Sequence, residues 1–233
     1  MSRTTVHLLR HGEVHNPAGV LYGRLPGYRL SGRGEQMAER VAEVLEGSGH
    51  DIRMVLASPL QRAQETAGPT ARAFGLDVRT EPRLIEAGNS FEGTTVGSER
   101  GKLLNPRYWS RYVNPLRPSW GEPYRDQVAR MTAAIGQARA ELAATGGGEA
   151  LLVSHQLPIW VTRRFLERRP LWHDPRSRQC SLASLTSLSF DGARLVGLGY
   201  WEPAADLVSG ARDLLPGASG AAIPRAELPR GSV

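Results

Sequence analysis

Residues 5–13 read Thr-Val-His-Leu-Leu-Arg-His-Gly-Glu, an apolar strand that stops abruptly at Arg10-His11-Gly12-Glu13. Such a strand delivers a guanidinium and an imidazole to its carboxyl end, which is where open α/β sheets bind their ligands. The fixed positive charge of Arg10 opposes a metal cation beside His11, whereas a phosphate suits the pair. Gly12 in a strand exit, and a glutamate that does not directly follow the first histidine, also set His11-Gly12-Glu13-Val14-His15 apart from the helical zinc-protease pattern, so no metal is expected at this site.

The rest of the chain alternates between buried-strand and amphipathic-helix patterns. Ser31 has the position of a helix N-cap, with Met37, Val41, Val44 and Leu45 following on one face and Gly47 to Gly49 ending the helix. Met54 to Ala57 reads as a buried strand, and Ser58-Pro59 as the cap and first residue of a second helix that Pro69 should break or kink. Asp77 to Thr80 is a weakly marked strand. A long helix follows Pro123, with Val128, Met131, Ile135, Ala138 and Leu142 on one face and Gly146 to Gly148 as its stop. Ala150 to Val153 is another buried strand, ending at Ser154-His155, and a helix carrying Trp160, Val161, Phe165 and Leu166 comes next. Ser181 to Phe190 and Leu195 to Tyr200 flank Asp191-Gly192, a hairpin signal.

This order predicts an α/β fold, a three-layer α/β/α sandwich whose central sheet is mostly parallel and ends in a C-terminal antiparallel hairpin. One domain is expected over residues 1–208. Residues 87–122, rich in Gly, Asn, Pro, Trp and Arg without a period, read as a lid or insertion over the site. Residues 209–233 read as a flexible or surface-draped tail.

Composition narrows the partners. Lys102 is the only lysine among 29 Lys and Arg residues, and the formal net charge is +6. Most of these arginines read as solvated surface. Without interleaved aromatics or a recognition motif, the basic balance does not predict nucleic-acid binding. Arg163-Arg164 and Arg168-Arg169 form the densest basic patch. The single cysteine, Cys180, reads as a buried small residue opening a strand. It excludes an intrachain disulfide, and with no room for a signal peptide before the first strand and no apolar run near the ~20 residues of a membrane span, a cytoplasmic protein without membrane contact is expected. A homodimer is left open.

Two strands thus end in histidine, at His11 and His155, and neighbouring parallel strands bring both imidazoles to one edge. A third strand leads to Arg62 on the first turn of a helix, whose N-terminus favours anions. Two histidines, two arginines and a helix N-terminus suit a phosphate and the charge it develops during transfer. His7 points away from Leu8 and reads as packed. His50 and His173 carry no assignment.

On these segments the chain, over roughly residues 5 to 205, resembles the histidine phosphatase superfamily, the phosphoglycerate mutase-like group. Leu9-Arg10-His11-Gly12-Glu13 followed by Asn16 is similar to its signature segment. Ala57 to Thr66 is similar to its arginine-bearing motif, Leu84-Ile85-Glu86-Ala87-Gly88 with Phe91-Glu92-Gly93 to the segment with the acid, and Val153-Ser154-His155 to the second-histidine motif. Gln156 stands where the acid phosphatase branch carries Asp, so the branch with Glu as general acid fits better.

The resemblance implies that His11 is the nucleophile, that Arg10, Arg62 and His155 clamp the phosphoryl oxygens with Asn16 as a further donor, and that Glu86 protonates the leaving oxygen and then activates water. Gly23, Arg24 and Gln156 are implied substrate contacts, Arg24 for a second anionic group. Gly121-Glu122-Pro123 replaces a Gly-Glu-Ser common in that branch. Neither cofactor nor metal is implied. The expected activity is metal-independent hydrolysis of a small phosphorylated metabolite, with inorganic phosphate as a further ligand. Phosphoglycerate mutase-type transfer and non-catalytic phospholigand binding are the alternatives. His11 must be neutral and Glu86 protonated at the start, so a bell-shaped pH–rate profile is expected, with its optimum on the acidic to neutral side.

Overall fold

The computed structural model describes residues 3–90, 92–94 and 121–213. The elements run β1 (Arg3–Arg10), α1 (Gly32–Gly47), β2 (Ile52–Ala57), α2 (Gln61–Ala73), β3 (Val78–Thr80), α3 (Tyr124–Ala144), β4 (Gly148–Ser154), α4 (Gln156–Leu166), β5 (Leu185–Asp191), β6 (Arg194–Trp201) and a short α5 (Ala205–Val208). Most of the lid segment and residues 214–233 of the tail lie outside the described residues.

One six-stranded sheet has the order β3-β2-β4-β1-β5-β6. β3, β2, β4 and β1 pair in parallel, and β5 runs antiparallel to both β1 and β6. The alternation of strand side chains divides the core in two. Leu9, Val55, Leu151 and Val153 face α1 and α2, where they meet Met37, Val41, Leu45 and Ala67. Leu8, Met54, Leu56, Ala150 and Leu152 face the other way, against Met131, Ile135, Ala138 and Leu142 of α3 and Ile159 of α4. This is the three-layer architecture expected of the sequence, antiparallel hairpin included. No helix among the described residues is long and apolar enough to cross a membrane.

Three local expectations change. Ser58-Pro59 does not start α2, which begins at Gln61 with Leu60 as N-cap; the Ser58 hydroxyl is instead engaged by His155. Pro69 does not break α2. Gly68 has no Cβ for the proline ring to meet, which removes one of the penalties of a mid-helix proline, and Thr66, Ala67, Thr70 and Ala71 bury the helix face around it. The strand after Cys180 begins at Leu185, not Ser181. Ala183 has φ 53°, outside the strand region, and the Ser184 hydroxyl and N–H both donate to the Ser181 carbonyl, closing a turn. Cys180 is buried, as expected, but lies ahead of that turn. Residues 209–213, the start of the tail, make specific bonds: Ser209 O accepts from Arg33, the Arg212 N–H donates to Glu13 at 2.6 Å, and Asp213 reaches Arg10.

Register places the chemistry. Arg10 pairs with Ser154 across β1–β4, and Ala57 with Val153 across β2–β4. The His11 N–H donates to Ser154 O (3.1 Å), and the Ser58 N–H to Val153 O (2.9 Å). The residues that follow three neighbouring parallel strands, His11, Ser58 and His155, therefore leave the sheet at one edge.

Candidate active site

The loop after His11 is fixed before any ligand arrives. A Cβ on Gly12 would stand 2.6 Å from the Gly34 carbonyl, so only glycine lets the strand exit pass the start of α1 so closely. Glu13 accepts from the Ser31 hydroxyl and from the Arg212 N–H, while Ser31 caps α1 through the Gly34 N–H. Held this way, His11 places Nδ1 2.8 Å from the Gly12 carbonyl. A carbonyl only accepts, so Nδ1 carries the proton and Nε2 carries the lone pair.

His155 sits beside it, with ring centroids 5.2 Å apart. Arg62 Nη2 lies 3.3 Å from His155 Nδ1. A guanidinium has donors only, so Nδ1 accepts and Nε2–H donates to Ser58 Oγ at 2.8 Å. Arg62 is 1% exposed; its Nη2 also donates to the Gly23 carbonyl (2.7 Å), and its Cζ lies 4.7 Å from the Tyr22 ring centroid. Cation–π packing and a backbone bond thus hold the guanidinium in place. Nε of Arg62 and Nε of Arg10 are buried with no hydrogen-bond partner among the described residues, an arrangement that costs about 1–3 kcal/mol for each donor and that an anion's oxygens would relieve.

Glu86 follows a short 3-10 turn, Pro82–Leu84, that is tied to the sheet by Ser154 Oγ donating to Leu84 O (2.7 Å). Arg24 Nε donates to Glu86 O (2.7 Å), and Arg24 with Arg130 grips Glu122. The carboxyl is thereby set with Oε2 4.0 Å from His155 Nδ1 and Oε1 accepting the Ala87 N–H.

The other expected site residues occupy supporting positions. Arg10 turns its fork to Asp213 (2.7 and 2.9 Å) and to Cys180 O (2.8 Å). Asn16 bonds both polar atoms of its side chain to the Val20 backbone, pinning its loop. Gly23 supplies a carbonyl to Arg62, and Arg24 braces Glu86. Gln156, at the first position of α4, accepts from Arg178 Nη1 (3.1 Å), whose Nε donates to His173 Nε2 (2.9 Å). Sequence reasoning missed Ser58, Tyr22, Arg178 and Asp213 as members of this surround. Ser58 lay inside a quoted motif but read as a cap. Arg178 and Asp213 carry no periodic or motif signal.

Electrostatics separates the titrating groups. Burial, then Arg62 and Arg10, push the His11 pKa well below the usual imidazole value. Burial, then Arg62 and His11, do the same to His155. The expectation that guanidiniums keep His11 neutral holds, with burial the larger cause. Burial raises the Glu86 pKa against the opposing pull of the Ala87 N–H and of Arg62. The edge therefore presents a neutral imidazole with its lone pair defined, a carboxyl whose pKa lies above the ordinary carboxylate value, and fixed cations, a combination suited to phosphoryl transfer.

Comparison with known proteins places the chain in a family. The chain is 55% identical over 202 residues to the uncharacterized protein Rv0525 of Mycobacterium tuberculosis, covering 87% of this chain and 98% of that protein. It is 37% identical over 194 residues to a 2,3-bisphosphoglycerate-dependent phosphoglycerate mutase of Thermoplasma acidophilum, covering 82% and 90%. The fold matches the native structure of a mycobacterial glucosyl-3-phosphoglycerate phosphatase with TM-score 0.69 at 27% identity, covering 86% of this chain and 99% of that one. The sequence model of the histidine phosphatase superfamily (branch 1) matches residues 6–200, and the chain belongs to that superfamily.

Proposed function

We propose that the chain is a phosphomonoesterase that moves the phosphoryl group of a small phosphate ester to Nε2 of His11 and from there to water. The observation that carries this reading is the locked tautomer of His11: Nδ1–H on the Gly12 carbonyl leaves Nε2 as the only ring nitrogen able to attack phosphorus. In the first displacement the Nε2–P bond forms as the ester P–O bond breaks, and the Glu86 proton passes to the leaving oxygen. In the second, the Glu86 carboxylate takes a proton from water as its oxygen attacks phosphorus, and the P–N bond breaks, returning His11 and releasing phosphate. Arg62, and Arg10 once its fork leaves Asp213, supply the positive charge along both steps, which is why the activity needs no divalent ion.

The test is hydrolysis of p-nitrophenyl phosphate and of a panel of sugar phosphates, nucleotides and phosphoglycerates, in the presence of a chelator. Glucosyl-3-phosphoglycerate belongs in the panel because a structural neighbour carries that name. Turnover should survive the chelator, and His11→Ala should lower kcat on the order of 10⁴-fold or more. Unchanged phosphate release by His11→Ala overturns the reading. The 37% identity to a phosphoglycerate mutase favours a second reading, return of the phosphoryl group to a phosphoglycerate instead of to water. Interconversion of phosphoglycerates faster than phosphate release selects it.

A further inference from the structure

The opposite end of the sheet holds a second pair of histidines that phosphoryl transfer does not use. His7 lies on β1 four residues before His11, about 13 Å along an extended strand. It is 3% exposed and points to the α1/α2 side of the sheet, opposite Leu8. His50 stands in the connection between α1 and β2, and Glu149 is the second residue of β4. His7 Nε2 is 3.1 Å and His50 Nδ1 2.7 Å from the same oxygen, Oε2 of Glu149. One donor atom from each of the three residues lies within 4.8 Å of the others, the only such group among the described residues.

We propose that His7, His50 and Glu149 form a site for one divalent transition-metal ion of the zinc type, separate from the phosphate site. Three geometric features support it. A tetrahedral zinc site with bonds of about 2.0–2.1 Å sets its donor atoms about 3.3 Å apart. The His7 distance to Glu149 Oε2 is close to that edge and the His50 distance falls short of it, so side-chain shifts that move His50 outward open the centre to an ion. The donors are also held from behind: the Glu149 N–H donates to Asp51 O (2.9 Å), and the His50 N–H to Leu45 O (3.2 Å). An outer-shell partner is in place as well. Metal ligation by His7 Nε2 requires the ring proton on Nδ1, and Ser187 Oγ stands 2.8 Å from Nδ1 to accept it. Two imidazole nitrogens with one carboxylate select zinc, cobalt, nickel or copper over magnesium or calcium. An ion there would join β1, β4 and the α1–β2 connection, and so act as a clamp on the amino-terminal edge of the sheet.

Calorimetric titration of the full chain with Zn²⁺ alone, and with Co²⁺ monitored by its visible absorption, tests the site. His7 is fully buried, so the variants are placed on the part-exposed members. One ion per chain should bind, with the intense absorption of a four-coordinate Co²⁺ centre, and Zn²⁺ should raise the unfolding temperature. His50→Gln and Glu149→Gln should each weaken binding more than 100-fold and abolish the temperature shift. Ser187→Ala should weaken it by about 10- to 100-fold. His11→Asn should leave the stoichiometry and affinity unchanged, which separates this site from the imidazoles at the other edge. Absence of Zn²⁺ binding up to about 1 mM, or binding that persists in His50→Gln and Glu149→Gln, overturns the proposal.

Discussion

The sheet carries the same three side-chain types at both of its ends, two histidines and a glutamate, and gives them opposite chemistry. At the carboxyl edge, Glu86 stands 4.0 Å from His155 Nδ1, but that nitrogen already accepts from Arg62 and has no proton to offer. Burial therefore prevails, and the Glu86 pKa rises. At the amino edge, Glu149 Oε2 receives N–H bonds from His7 and His50, and its pKa is held at about 2 against burial. One buried guanidinium makes the difference. Where Arg62 fills the lone pair of the neighbouring imidazole, the carboxyl becomes an acid and the pocket suits an anion. Where two imidazoles converge on one carboxylate with no guanidinium beside them, the cluster suits a cation. Residue type says little here; the third neighbour decides.

The comparison breaks first at the two residues that set it. Glu86→Gln keeps the size of the side chain and removes the transferable proton. For alkyl phosphates, whose leaving oxygen needs that proton, kcat should fall by about 10²–10⁴-fold. For p-nitrophenyl phosphate, whose leaving group is already a weak base, the fall should be smaller. Equal losses on both substrates would mean that Glu86 is not the acid. Arg62→Gln removes the cation that separates the two ends, and kcat/KM should drop about 10²–10³-fold, the loss expected for one donor aimed at developing negative charge. The His155 pKa should also rise in that variant while burial keeps it below the imidazole norm, observable by NMR titration of its ring. An unshifted His155 would show burial alone to be sufficient.

Much of this was legible in the sequence because it depends on strand ends. Val6 to Leu9 and Ala150 to Val153 are apolar runs with histidines behind them, and parallel pairing alone puts His11 beside His155. Arg62 and Glu86 came with motif segments of recognisable spacing. What the sequence concealed were side chains that act through another residue. Ser58 reads as a helix cap because Ser-Pro before an apolar face is a common helix start, yet its hydroxyl holds His155. Arg24 and Asn16 read as substrate contacts, but tertiary placement turned one toward Glu86 O and the other toward Val20. His50 had no local signal at all, since its partners are 99 and 43 residues away in the sequence. Strand ends are dictated by local pattern; the partners of a polar side chain are dictated by the whole fold.

The two ends should also lose stability in different pH windows. His11 and His155 have folded pKa values below the imidazole norm. Their neutral forms stabilise the fold fully above about pH 6.5, and that contribution is lost as pH falls, at up to about 1.4 kcal/mol per pH unit for each ring. Glu149 also has a depressed pKa, but from the carboxylate range down to about 2, so its contribution persists until pH falls through about 4.5. Denaturant unfolding of His155→Gln between pH 7 and pH 5 should show a shallower decline than the parent chain. Glu149→Gln should instead follow the parent slope there and lose about 1–3 kcal/mol throughout that range. Parallel slopes for His155→Gln and the parent would place the acid sensitivity elsewhere.

The smallest expected effect concerns the one place where the carboxyl edge holds a carboxylate pair of its own. Asp213 takes both ends of the Arg10 fork, the bidentate geometry that a phosphoryl group would use, and its charge raises the Arg10 pKa although burial lowers it. The pair is mostly buried, with side-chain exposures of 4% and 17%, but it lies at the end of the described chain, and ordering residues 209–213 opposes its gain. On the proposed function, Asp213 would compete with an entering phosphate for the Arg10 fork. Asp213→Asn leaves Arg10 a neutral partner in place of an anion, and inorganic phosphate should inhibit about fivefold more tightly, equivalent to about 1 kcal/mol. Because phosphate is also a product, kcat should change less than the inhibition constant. Weaker inhibition in Asp213→Asn would give the carboxylate the reverse role, that of orienting Arg10 toward the ligand.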